Sequence, residues 1–478
     1  LDTLTARALE TAKLEGAHYA DARVVHAREE NIKVKNGVVE SLMTDETLGF
    51  GVRVLVDGAW GFASSREMTP TEVDRVAALA VKIARASALV RGEAVRLGPP
   101  ITSQGAYTTP VEIDAFGISI EDKLDLLMRA DAAMARVEGV TVRAGHLAFV
   151  KEHKTFASTE GADTDQTILE AGGGIVATAV SGNEVQRRSY PSIRAQATGG
   201  WEYILAMDLP GNAERIASEA VQLLTAEPCP STNTTLIIGS EQLALQIHES
   251  CGHPIELDRV FGSEAAFAGT SFLTTEKLGN FRYGSEVVNI TAESVRPLGL
   301  GTFGWDDEGV PASSTPIVKD GLFSGYLMSR ETAPVLGLAS NGCMRASSWN
   351  RIPLIRMTNV SIEPGTWDYD DLIADTDDGI YIDSNRSWSI DDKRYNFQFG
   401  TEIGYEIKNG KLGKMLRNCT YTGITPEFWN SCDAVCNDRH WVMWGTPNCG
   451  KGQPIQVAHT GHGAAPARFR NVRVGVMQ

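Results

Sequence analysis

Two prolines separated by a single residue, in Glu227-Pro228-Cys229-Pro230-Ser231-Thr232, constrain this chain more than any other local feature. Proline lacks a backbone donor and fixes its own φ, so neither a helix nor a central strand runs through such a segment. The segment falls near the middle of 478 residues, a length beyond what one hydrophobic core ordinarily serves. Two domains are therefore expected, over residues 1–227 and 233–478, joined tightly rather than by a flexible linker. Hydrophobic residues at 42% and charged residues at 22% supply both cores, and no low-complexity tract argues for disorder.

In the first half, a short helix to about residue 16 precedes a meander. Strands are expected from Ala20 to Glu29, about the turn dipeptide Asn36-Gly37, and on both sides of Asp57-Gly58. Thr69, Pro70 and Glu72 form a helix start, with Val73, Val76, Ala77, Ala80 and Ala84 as its buried stripe. A second helix starts after Ser119, Gly- and Thr-rich strands run from Val140 to about Tyr190, and a third helix spans about Asn212 to Leu224. Beyond residue 233 the pattern is strand-dominated, with hairpin signals at Asp320-Gly321 and Asn409-Gly410. The expected class is α+β: an N-terminal domain of antiparallel strands with packed helices, and a strand-rich C-terminal domain carrying one functionally important helix.

A net charge of −16 disfavours a broad grip on nucleic acid, and Arg187-Arg188 reads as a solvated turn. No apolar run approaches the ~20 residues that span a bilayer, and the N-terminus lacks a signal-peptide core, which points to the cytoplasm and no membrane partner. Seven dispersed cysteines suggest thiols or metal ligands rather than a disulfide framework.

The chemistry concentrates in His248-Glu249-Ser250-Cys251-Gly252-His253-Pro254. Ser240 is the expected N-cap of a helix through Ile247, with His248 half-buried at the edge of its apolar face. On a regular helix, five residues turn through about 500°, so the two imidazoles would diverge by about 140° and could not share a metal. Gly252 and Pro254 offer an interruption that leaves His253 extended beyond the helix end; a π-bulge would serve equally. A catalytic zinc takes three protein ligands and keeps a position for water, whose proton the adjacent Glu249 would take as general base. His248 and His253 supply two ligands. Cys449, Glu256, Cys251 and the pair His459 and His462 are candidates for the third, Cys449 being presented in the Gly-rich loop Pro447-Asn448-Cys449-Gly450-Lys451-Gly452-Gln453-Pro454.

These residues resemble the TldD/PmbA family of zinc peptidases. The resemblance rests on His248 to Asp258, on Cys449-Gly450-Lys451-Gly452-Gln453, on Gly49 to Leu55 with Gly58-Ala59-Trp60-Gly61-Phe62-Ala63, and on Met357-Thr358-Asn359. It implies a TldD-like subunit that binds Zn2+ through His248, His253 and Cys449, with Glu249 as general base. It also implies extended or unfolded peptide substrates bound as an added strand. The partner would be a second copy, or a PmbA/TldE-like subunit lacking the metal motif. Pro254 directly after His253 and a Cys-rich late segment depart from the pattern.

Rival readings accompany each assignment. Glu256 could orient an imidazole instead of binding metal, and His462 could do the same or touch substrate. Cys432 and Cys436, read as a helix after Pro426, could join His440 and Cys449 in a structural zinc cluster. Trp429, Trp441 and Trp444 suit a peptide-binding wall or a core, and Asp306-Asp307-Glu308 reads as a solvated loop. Peptide hydrolysis leads. Amide or C–N bond hydrolysis of a small peptide-derived metabolite, and peptide binding with structural zinc, are the alternatives.

Overall fold

The computed structural model describes residues 2–90, 92–192 and 195–475. Its first half is built on one eight-stranded sheet. The strand order is Ala59–Ser65, Val38–Val56, Tyr19–Lys35, Val140–Ser158, Asp163–Ser181 and Gln104–Thr108, with Glu184–Tyr190 and Gln196–Thr198 also pairing onto Asp163–Ser181. Four of these strands have 17 to 19 residues. At about 3.3 Å per residue each reaches roughly 60 Å, more than one helix pair can cover. Two separate cores result: Asp2–Leu14 and Pro70–Ala88 cover one end of the sheet, Ile120–Ala135 and Leu209–Leu223 the other.

The local signals for these elements are met. Thr69 accepts a hydrogen bond from the Glu72 N–H, and Ser119 from that of Asp122. Val73, Val76, Ala77, Ala80 and Ala84 are fully buried. Asn36-Gly37, Asp57-Gly58, Asp320-Gly321 and Asn409-Gly410 all have positive φ at both residues, the geometry that lets a two-residue turn follow the strand twist.

In the second half, Asp378–Ile390, Thr232–Ile238, Ala467–Val474, Thr420–Ile424 and Asn396–Lys408 follow one another in a sheet whose first and last members also pair, closing a five-stranded barrel. A six-stranded sheet lies beside it, in the order Leu322–Phe323, Ser314–Lys319, Ile290–Glu293, Asn359–Ile362, Gln456–Ala464 and Val442–Lys451. The helix Ser240–Ile247 is wedged between the barrel strand Asp378–Ile390 and this sheet, and every one of its residues from Glu241 to Ile247 is buried. The α+β class is as expected. Among the described residues, no helix is long and apolar enough to cross a membrane.

Three local readings are corrected. Cys432–Val435 is a strand, because the helix begun at Thr425 ends at Asn430 and residues 432–435 then pair with Ala467–Phe469. Arg187-Arg188 lies within the strand Glu184–Tyr190, and both guanidiniums meet the fully buried Glu402 of the second half, at 2.9 and 3.1 Å. Asp306-Asp307-Glu308 is buried, not solvated. Asp307 bonds Arg23 and Lys154 of the first half, each at 2.8 Å, and Glu308 approaches Arg53 at 3.4 Å. What reads as an acidic loop is the counter-charge of a buried ionic junction. Charges removed from water persist only when paired, and the partners here are remote in sequence.

Candidate metal centre

The metal segment begins where the strand Thr232–Ile238 meets Gly239, which occupies the N-cap position expected for Ser240. Asp383, from the neighbouring barrel strand, fills the space beside it: a Cβ on Gly239 would lie 2.3 Å from the Asp383 carboxyl carbon. Ser240 is instead the first helical residue and accepts a hydrogen bond from the Trp444 indole.

After Ile247 the backbone widens into a π turn over His248–Gly252, closed by the His253 N–H donating to the His248 carbonyl at 3.2 Å. His253 keeps helical dihedrals, φ −67° and ψ −43°, so it is not extended as Pro254 suggested. The extra residue in one turn brings the second imidazole edge-on to the first, with ring centroids 4.9 Å apart and planes at 84°. Gly252 serves packing rather than helix termination, since a Cβ there would lie 2.1 Å from the Met357 sulfur.

Cys449 arrives from the edge strand Val442–Lys451, and its Sγ is 3.7 Å from His253 Nε2. Ligand atoms of His248, His253 and Cys449 all lie within 4.8 Å of one another, and all three residues are buried. Zn–S and Zn–N bonds of ordinary length in a tetrahedron give an S···N edge of about 3.6 Å, which the Cys449–His253 separation matches, and the three donors fit zinc in kind. Among the described residues this is the one such cluster.

The groups behind the imidazoles aim them. His462 Nδ1 donates to the Val360 carbonyl at 2.9 Å, which makes its Nε2 an acceptor; His248 Nδ1 must then be the donor across the 2.7 Å contact between them. That leaves the lone pair of His248 on Nε2. Glu256 Oε2, 3.1 Å from His253 Nδ1, fixes the other ring in the same sense. Lys451 bonds Asp258 at 2.7 Å and approaches Glu256 at 3.4 Å, extending this support. Burial, reinforced by the charges of Arg394, Arg259, Arg356 and Lys451, holds the His253 pKa well below its ordinary value, so the ring is neutral and able to ligate. Burial likewise lowers His462 to about 4. Burial also raises the Cys449 thiol, with Arg356 opposing, and a bound cation would favour its thiolate.

The structure thus sorts the sequence candidates. His248 is buried, not half-exposed, because His462 closes over it. Glu256 and the fully buried His462 stand behind the rings. Cys251 points into the apolar core beside Tyr283, its thiol raised to about 12 by burial. His459 turns to the opposite face of its strand and pairs with Glu170 at 2.6 Å. Cys432 and Cys436 form no cluster with Cys449: they are core thiols, and His440 bonds Asp368 at 3.2 Å. Trp429 is fully buried and packs on Phe469 as core. Glu249 is 6% exposed and receives a 2.6 Å hydrogen bond from Arg394. No motif marks Arg394, which sits in the polar turn Asp391-Asp392-Lys393-Arg394.

Three family models match this chain in succession: PmbA/TldA metallopeptidase domain 1 at residues 20–84, the central domain at 113–226 and the C-terminal domain at 231–475. The chain belongs to the PmbA/TldD metallopeptidase family. A metalloprotease of Methanothermobacter thermautotrophicus is 29% identical to it over 96% of this chain and 95% of its own length. A metalloprotease TldD homolog of Haemophilus influenzae is 26% identical over 96% and 92%. A zinc metalloprotease TldD homolog of Saccharolobus solfataricus is 27% identical over about half of each chain, at 50% and 51%. Among solved structures, a Thermotoga maritima protein described as a candidate modulator of DNA gyrase superposes with a TM-score of 0.78 at 19% identity, covering 99% of this chain and 100% of its own. TldE from Thermococcus kodakarensis gives 0.75 at 17% identity, covering 99% and 100%. The structural neighbours share the fold, and the names of the PmbA/TldD relatives support metal-dependent peptidase activity.

Proposed function

We propose that this PmbA/TldD-family chain hydrolyses peptide bonds in extended or unfolded peptides, with Zn2+ held by His248, His253 and Cys449 and with Glu249 as general base. The observation that carries the reading is the convergence of two buried imidazoles and one buried thiol, next in sequence to a buried carboxylate. When bound, zinc supplies Lewis acidity toward the scissile carbonyl and lowers the pKa of water toward about 7. The chain's own residues do the rest. Glu249 takes the proton of the attacking water and returns it to the leaving amine. His462 and Glu256 keep both imidazoles in the ligating tautomer. Three clustered donors among the described residues, rather than four, favour a catalytic over a structural zinc.

Two features support a peptide substrate. The strand carrying Cys449 is an edge of its sheet, where backbone groups can pair with peptides of varied sequence. A cavity of about 270 Å³ opens between the two halves beside the neighbouring strand Gln456–Ala464, lined among others by Glu29, Glu152, Phe303, Arg345 and His459.

Metal analysis tests the centre. The full chain should carry about one zinc, and His253→Ala and Cys449→Ser should lose it; stripping with a chelator should leave the fold intact, as expected of a site with an open position. Unfolding of the stripped chain would instead favour a structural zinc. His462→Phe, which removes the acceptor behind His248, should weaken zinc binding about 10- to 100-fold by competition with a chelating dye.

The partner in this reading is a second copy or a PmbA/TldE-like subunit, acting in the cytoplasm. Among the described residues, 38–49 of Val38–Val56 have no strand beyond them, because pairing with Ala59–Ser65 starts only at Phe50. Val38, Val39, Leu42, Met43 and Leu48 are exposed along that stretch. Open apolar edges of this kind recruit another chain. Leu42→Lys with Met43→Glu should shift the sedimentation coefficient toward that of a monomer without lowering the melting temperature.

A further inference from the structure

Arg394 belongs to the turn that joins the barrel strands Asp378–Ile390 and Asn396–Lys408. It is held in left-handed backbone geometry, φ 65°, which a side chain bearing a Cβ rarely adopts without a reason. Contacts on several sides impose that geometry. Asp391 Oδ1 accepts from the Tyr395 and Asn396 N–H groups at 2.5 and 3.0 Å, and Thr425 Oγ1 donates to the Arg394 carbonyl at 2.9 Å. The segment that leaves the metal site grips the turn from the other side. Phe272 N–H donates to the Lys393 carbonyl at 3.0 Å, and a Cβ on Gly269 would lie 2.3 Å from the Asp392 carbonyl oxygen.

So fixed, the guanidinium reaches Glu249: Nη1 donates to Oε2 at 2.6 Å, with the two side chains only 16% and 8% exposed. Arg394 Nε is buried and has no hydrogen-bond partner among the described residues. The left-handed backbone, held from both sides, directs this one side chain to Glu249. Glu has three side-chain torsions, and a general base displaced by about 1 Å loses roughly a hundredfold in rate.

We propose that Arg394 is the positioning residue of the general base: through its Nη1 bond it holds the Glu249 carboxylate in the one orientation that meets the attacking water. The proposal rests on the reading of Glu249 as that base. It places the barrel hairpin, which carries no metal ligand, inside the catalytic apparatus.

The zinc-loaded full chain, assayed on fluorescein-labelled casein, tests it. Arg394→Ala should lower kcat about 100-fold while KM, zinc content and melting temperature change little. Arg394→Lys should recover part of the loss, and millimolar guanidinium added to Arg394→Ala should restore part of kcat. A structural role predicts neither recovery. Unchanged kcat in Arg394→Ala, or a loss that follows zinc content or melting temperature in both variants and ignores guanidinium, overturns the proposal. Glu249→Gln, assayed alongside, separates the two layers. If it is inactive while Arg394→Ala is fully active, only the positioning role falls; if it is active, the general-base assignment falls with it.

Discussion

Glu249→Gln is expected to abolish peptide turnover while the chain keeps its zinc. The substitution preserves shape and hydrogen bonding to Arg394 but removes the basic oxygen, and positioned general bases contribute about 10²- to 10⁴-fold, or roughly 3–5 kcal/mol of transition-state stabilisation. None of the three clustered donors belongs to Glu249, so metal content should match the wild type by atomic absorption. Parallel loss of zinc and activity would make Glu249 a structural neighbour of His248 and leave the base unassigned.

The second large effect concerns the junction between the halves. Burial alone would push the Asp307 carboxyl upward, but Lys154 and Arg23 outweigh it and hold the pKa at about 2. The carboxylate is therefore ionised and enclosed, and Asp307→Asn leaves buried Arg23 without its carboxylate partner and Lys154 with Glu152 alone, at 3.3 Å. Breaking a buried pair in this way costs about 3–5 kcal/mol, so the denaturant midpoint should fall markedly. The pH dependence follows in sign. Because the folded value lies below the unfolded one of about 4, the contribution is present above that pH and is lost as pH falls toward about 2. Asp307→Asn should lack this part of the acid-induced loss. A midpoint equal to that of the wild type at pH 7 would mean that the junction contributes no net stability.

How far the sequence discloses this molecule depends on the range of the interaction concerned. The turns at Asn36-Gly37 and Asn409-Gly410, and the caps at Thr69 and Ser119, obey rules spanning a few residues and are legible directly. The donors His248, His253 and Cys449 are legible because zinc accepts few residue types and each sits in a marked local context. The path between the imidazoles is less so. Pro254 argues for extension, but the backbone stays helical through the π turn, and Gly252 is needed there because Met357, a hundred residues on, fills the space over it. Asp307 and Arg394 carry no local mark at all. Each is defined by a partner more than a hundred residues away, Arg23 and Lys154 for the first and Glu249 for the second. A short polar run looks the same in sequence whether it faces solvent or a buried cation.

The π turn also bears on how such a centre could arise. A π turn is what an α-helix becomes on accepting one additional residue, so the separation of His248 and His253 is that of an i, i+4 pair lengthened by one. Removing a single residue from Ser250-Cys251-Gly252 would return both imidazoles to the face of an unbroken helix, the arrangement used by other zinc peptidases. The two designs are neighbours across one insertion or deletion of three nucleotides. The third ligand need not change for a lineage to pass between them.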